Sequence, residues 1–196
     1  MRKIHSLLPA VLISASLLVL LFSSGAYNVS AASTYCEGSM IAGTNINYWT
    51  SATTYTNSVP LAISKVMYPP NLSNPLNIYK TTVKSNAKLE FYEVNVGDAF
   101  LGFTVLWAKN AAGAYWSLDT YAQCDANNWT YGEIRLNNGI MGASSWDKYQ
   151  CATVIAHEIL HAYGLKHVSD PSSIMYPQYN GLKDVRQAEN DILNLK

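Results

Sequence analysis

Residues 157–167 read HEILHAYGLKH, and no other stretch constrains the fold as tightly. Residues 146–163 contain neither proline nor glycine, and Ala152, Ile155, Ile159 and Ala162 recur at three and four, which predicts a helix of about five turns. Ser144 or Ser145 can cap its start, with Asp147 in the first turn. Residues four apart on a helix stand over one another, so His157 and His161 face one point in space. On a continued helix His167 would lie about 240° further round, facing away. Gly164 allows the chain to leave the helix and return, delivering His167 from outside it.

Histidine usage sharpens the point. The chain has 4 histidines, and the remaining one, His5, lies in an N-terminal segment with export character. Arg2 and Lys3 precede a mostly apolar run over residues 7–22, interrupted by Pro9 and too short to favour a membrane anchor. Residues 1–32 are therefore expected to be a secretory signal peptide, and residues 33–196 one domain, secreted and extracellular, with no stable membrane association after cleavage. Tyr35 before Cys36 argues against a lipid anchor at that cysteine. Acidic and basic residues nearly balance, which leaves no basic face for nucleic acid.

Three imidazoles at this spacing suit Zn²⁺ and leave its fourth position open for water, as catalytic rather than structural sites do. Glu158 leaves the helix about 100° from His157 and can lie beside a metal rather than on it. It is the expected general base: zinc makes water acidic near neutral pH, and a carboxylate in reach can take its proton and pass it to a leaving amine. His157, His161 and His167 are the expected ligands of one catalytic ion. No calcium site is assigned.

Elsewhere the pattern is coarser. Strands are expected over residues 45–51, 88–95, 101–108, 115–121 and 131–137, short helices over 59–67 and 77–85, and a last helix over 183–195, an α+β order. Cys36, Cys124 and Cys151 permit one disulfide with one free thiol, or three reduced thiols, and the pairing is open.

The pattern H-E-x-x-H-x-x-G-x-x-H, with Met175 following in SSIMYPQY, resembles the metzincin zinc peptidases, and Met175-Tyr176-Pro177-Gln178-Tyr179 resembles the matrixins among them. The resemblance implies a twisted, mostly parallel sheet, an active-site helix and a small C-terminal subdomain. It implies that Met175 sits in a tight turn beneath the zinc without binding it. It also implies that Pro177 and Tyr179 wall the pocket for the side chain after the scissile bond, ordinary turn packing being the alternative. GEIRLNN, residues 132–138, resembles the edge strand that pairs with extended substrate. Two positions depart from the matrixin pattern, Leu160 where glycine is usual and Val168 where serine is. TYCEGS does not match the inhibitory cysteine motif of matrixin pro-segments, and neither a second, structural zinc nor a C-terminal binding domain is expected. The expectation is a monomeric zinc endopeptidase acting on polypeptide or peptide substrates. The alternative is a zinc-stabilised secreted binding or inhibitory module without catalysis.

Overall fold

A computed structural model describes residues 35–40, 42–97, 100–142 and 146–195. The expected signal peptide and the capping role of Ser144 or Ser145 lie outside the described residues. The framework is a six-stranded sheet ordered β2-β1-β3-β6-β4-β5. Its strands are β1 (Asn45–Thr50), β2 (Asn77–Lys80), β3 (Leu89–Val94), β4 (Gly102–Lys109), β5 (Tyr115–Leu118) and β6 (Tyr131–Asn137). β1 pairs in parallel with β2 and β3, and β3 with β6; β4 runs antiparallel to both β6 and β5. The sheet is therefore mostly parallel, with β4 alone reversed.

Period-2 patterning explains how the sheet holds its helices. Leu89 and Phe91 of β3 and Ile134 and Leu136 of β6 point to one face and are fully buried. Helix α1 (Ser58–Met67) packs against helix α4 (Lys148–Ala162), and α4 lies on β4 and β6. Val59, Ala62 and Val66 of α1 and Ala152, Ile155 and Ile159 of α4 are buried to 1% exposure or less. Each such aliphatic side chain larger than alanine contributes about 1.5–3 kcal/mol through burial. Helix α4 carries more than one apolar stripe, since Val154, Ala156 and Leu160 are buried too, as befits a helix enclosed within the domain.

Several local expectations are corrected. Residues 77–85 are not helical: Asn77–Lys80 forms the edge strand β2, with Ile78 buried beside Ile46, and a 3₁₀ turn follows at Lys84–Asn86. The strand expected to reach residue 121 ends at Leu118, because Thr120 and Gln123 form a capping box that starts α2 (Tyr121–Ala126). A one-turn helix, α3 (Asn138–Met141), directly follows β6. Helix α4 begins at Lys148, later than residue 146, with Asp147 accepting the amides of Tyr149 and Gln150 as N-cap. The last helix is shorter than expected, α5 (Gln187–Leu193). GEIRLNN is not an edge: β6 lies inside the sheet, between β3 and β4. Cys36 pairs with Cys124, and Cys151 is a buried free thiol.

Candidate metal centre

Helix α4 ends where its function begins. The Trp129 indole, fully buried, donates to the Ala162 carbonyl at 2.9 Å and so satisfies an end of the helix that would otherwise lack a partner. Gly164 then takes φ +87°, a left-handed conformation, and a Cβ there would stand 2.9 Å from the Trp129 ring. Only glycine turns the chain at this point without strain or collision. The reversal brings His167 back over the helix.

The three imidazoles converge through their Nε2 atoms. His157 and His161 are 3.0 Å apart at Nε2, His157 and His167 3.2 Å, and His161 and His167 3.1 Å. Nitrogens bound to one tetrahedral zinc at about 2.0–2.1 Å would be separated by ~3.3 Å. Among the described residues, this is the one group of three or more histidine, cysteine or carboxylate side chains placed to hold a metal ion.

Backbone carbonyls orient two of the rings. His157 Nδ1 lies 2.6 Å from the Ile174 carbonyl, and His161 Nδ1 lies 2.7 Å from that of Leu165. A carbonyl only accepts, so each Nδ1 carries the proton and each Nε2 presents its lone pair. Burial lowers the pKa of all three histidines, furthest for His161, and favours the neutral form that ligates.

Glu158, at 5% exposure, reaches β4 with its carboxylate. Its Oε2 accepts the Thr104 hydroxyl at 2.8 Å, and a Cβ on Gly102 would come within 3.3 Å of its side chain. Burial pushes its carboxyl up to about 7, with the Thr104 hydrogen bond pulling the other way. A glycine at 102 thus leaves room for the carboxylate against the strand. A cleft of about 860 Å³ passes these groups and is lined by His157, Glu158, His161 and His167.

Met175 is 1% exposed in a turn fastened at both flanks. Its carbonyl accepts the Val168 amide at 3.1 Å, its amide donates to Ser173 Oγ at 2.9 Å, and the preceding carbonyl, Ile174, is the one that orients His157. Ser173 Oγ in turn donates to the buried Glu189 of α5, which Arg186 also grips at 2.9 Å. Pro177 and Tyr179 line the same cleft, and Tyr179 packs on Trp146 with ring centroids 4.5 Å apart. His157, Glu158, His161, His167, Pro177 and Tyr179 thus line one cleft, and Met175 is buried between Ile174 and Tyr176, which line it too.

Other contributors carried no local signal. Thr104 and Gly102 come from β4, and Tyr121 comes from α2, its hydroxyl accepting the His167 amide at 3.3 Å. Strand β5 pairs with β4 only from Leu106 to Lys109, so among the described residues Gly102 to Val105 have no partner strand on that side. This stretch of β4, not β6, is the free edge at the cleft.

The mixed sheet, its enclosed helix and the three-histidine turn are the α+β arrangement of a metzincin-like protein. The matrixin family matches residues 61–196, and the chain belongs to that family, whose members are zinc metallopeptidases with a catalytic zinc. Among individual proteins it is similar to interstitial collagenase of Oryctolagus cuniculus, at 33% identity over 61 residues, 31% of this chain and 13% of the relative. The interstitial collagenase of Bos taurus matches to the same extent, 33% over 61 residues, again 31% of this chain and 13% of the relative. Matrix metalloproteinase-20 of Homo sapiens is 40% identical over 48 residues, 24% of this chain and 10% of the relative. The matches thus span 13% or less of these relatives' length.

Proposed function

We propose that this matrixin is a secreted, zinc-dependent endopeptidase whose mature domain is residues 33–196. The observation that carries the reading is the convergence of three neutral imidazoles, 3.0–3.2 Å apart at Nε2, with a buried carboxylate on the next residue of the same helix. His157, His161 and His167 would hold the ion. Zinc, when bound, supplies Lewis-acid chemistry, making water acidic near neutral pH and polarising a carbonyl.

The chain's own residues do the rest. Glu158 takes a proton from the attacking water and returns it to the leaving amine, so one carboxylate serves both halves of the hydrolysis. Thr104 holds that carboxylate by a 2.8 Å hydrogen bond and fixes its direction. The edge of β4 from Gly102 to Val105, which has no partner strand on that side among the described residues, offers backbone donors and acceptors to an extended peptide, which would add as a further strand. Tyr179, braced on Trp146, and Pro177 would wall the pocket for the side chain after the scissile bond. Met175 supports the site from below without binding metal. Secretion is proposed from the export character of residues 1–32.

Glu158 also argues against a purely structural zinc module, which has no use for a base beside its metal and closes the fourth position with a protein ligand. The test is to purify the chain and its Glu158→Ala variant, measure bound zinc, and profile cleavage of a proteome-derived peptide library with and without a chelator. One zinc per chain is expected in both, with cleavage lost by about 10²–10⁴-fold in the variant. Cleavage that survives Glu158→Ala unchanged would sink the mechanism.

A further inference from the structure

The turn that carries His167 is held from two sides, one residue after another. On one side runs the strap of residues 35–37. Its Cys36 amide donates to the Gly164 carbonyl at 2.6 Å, and Tyr35 forms an antiparallel bridge with Leu165. Leu165 is the residue whose carbonyl orients His161. On the other side stands α2. Its Asp125 accepts Lys166 Nζ at 2.8 and 3.0 Å, and its Tyr121 hydroxyl accepts the His167 amide at 3.3 Å, with Lys166 lying 5.5 Å over the Tyr121 ring. Asp125 also accepts the Glu37 amide at 3.1 Å, which ties the strap to the helix.

Cys36 on the strap is bonded to Cys124 on α2, across a sequence separation of 88. The bond therefore joins the two segments that grip residues 164–167. Both cysteines are buried, at 2% and 3% exposure, and both line the cleft. Besides the bond, the Glu37 amide's hydrogen bond to Asp125 joins strap to helix, and the partly exposed Lys166–Asp125 ion pair joins helix to turn, each individually weak.

We propose that the Cys36–Cys124 disulfide is the clamp of the metal site, closing the strap and α2 around residues 164–167 so that His161 and His167 stay in ligating positions. Metal retention then depends on the oxidation state of this pair. Tyr121, Asp125 and Lys166 act as positioning residues through the same grip. Closing the clamp converts two thiols into one S–S bond; the two electrons and two protons pass to a disulfide oxidant, which leaves as two thiols. A dithiol reverses the step and departs as its own disulfide. The inference rests on the reading of the three histidines as zinc ligands.

The experiment is competition of the purified chain against a chromophoric zinc chelator, with thermal unfolding of each zinc-free form in parallel. The variants are C36S/C124S, Lys166→Met, Lys166→Arg and, as a control for thiol loss alone, Cys151→Ala. C36S/C124S and Lys166→Met are expected to weaken zinc binding about tenfold or more, as loss of outer support to a ligand does. Lys166→Arg, which keeps the ion pair, and Cys151→Ala are expected to bind within about twofold of the parent. Folded C36S/C124S and Lys166→Met proteins that bind zinc as the parent does would overturn the clamp. If C36S/C124S does not fold, Lys166→Met decides alone, and parental affinity there overturns it. A parent chain that binds no zinc overturns the ligand reading itself, an outcome separable from failure of the clamp.

Discussion

The Thr104 hydroxyl stands 2.8 Å from the Oε2 of Glu158 and 2.9 Å from the backbone carbonyl of the same residue. One β4 side chain thus touches both the carboxylate and the helix that bears it. Thr104→Val keeps the shape and removes the hydroxyl. The expected result is a fall in kcat of about tenfold with zinc affinity unchanged, because an oriented base is lost and no ligand is disturbed. Steady-state kinetics beside chelator competition separates the two, and an equal loss in both would refute a role confined to Glu158.

Gly164→Ala tests the reversal. The new methyl meets positive φ and a fully buried tryptophan 2.9 Å away, so relief by movement of Trp129 is blocked. A left-handed residue with a side chain costs about 1–2 kcal/mol before any collision is counted. Urea unfolding of the zinc-free protein should show at least that loss, and zinc affinity should fall with it. An unchanged midpoint would mean that the turn relaxes freely.

A third prediction concerns acid. The Arg186 guanidinium and the Ser172 groups hold Asp170 down to about 2; burial raises Glu189, but Arg186 and Ser173 outweigh it and leave its pKa lowered. Carboxylates depressed by folding give stability that is present above their unfolded values near 4 and is lost as pH falls through the folded ones. Arg186→Met should therefore destabilise the zinc-free protein most at neutral pH. The gap in melting temperature should shrink between about pH 5 and pH 2 as both carboxyls protonate. Asp170 is half exposed, so the larger part of the gap belongs to the buried Glu189. A gap constant with pH would assign the arginine a packing role only.

The specificity wall can be examined by Tyr179→Ala. Its ring is braced on Trp146 at 4.5 Å, and removing it should enlarge the pocket and admit bulkier side chains after the scissile bond, with zinc affinity retained. Library profiling reads this directly. A preference that does not move would reduce Pro177 and Tyr179 to turn packing.

What could be read in the sequence follows from how far apart cooperating residues lie. His157, Glu158, His161, Gly164, His167 and Met175 fall within one helix, one turn and one loop, where spacing translates into geometry. Thr104 meets Glu158 across 54 positions, and Cys36 meets Cys124 across 88, distances at which no local pattern speaks. The alternation in β6 reports that one face is buried, which is equally true at an edge and in the interior, so its place between β3 and β4 was not legible. Strand β2 has four residues, and of these Ile78 alone is buried, too little to display a period. The aromatic run near residue 115 favours strand, and the capping box of Thr120 and Gln123, a visible signal, ends it earlier than composition suggests.

The enclosure of α4 has a kinetic consequence. His157 and His161 belong to a helix buried on nearly every side, so separating them demands that the core itself come apart, an event as rare as global unfolding. His167 lies outside that helix, on a turn gripped by the disulfide-linked strap and α2, so its departure requires that grip to loosen but not the core to open. Metal exchange should accordingly begin with its departure, leaving the ion on a rigid two-histidine ledge. The rate at which a bound ion would leave is then set by the loosening of residues 164–167 within their clamp, a smaller event than unfolding of the domain.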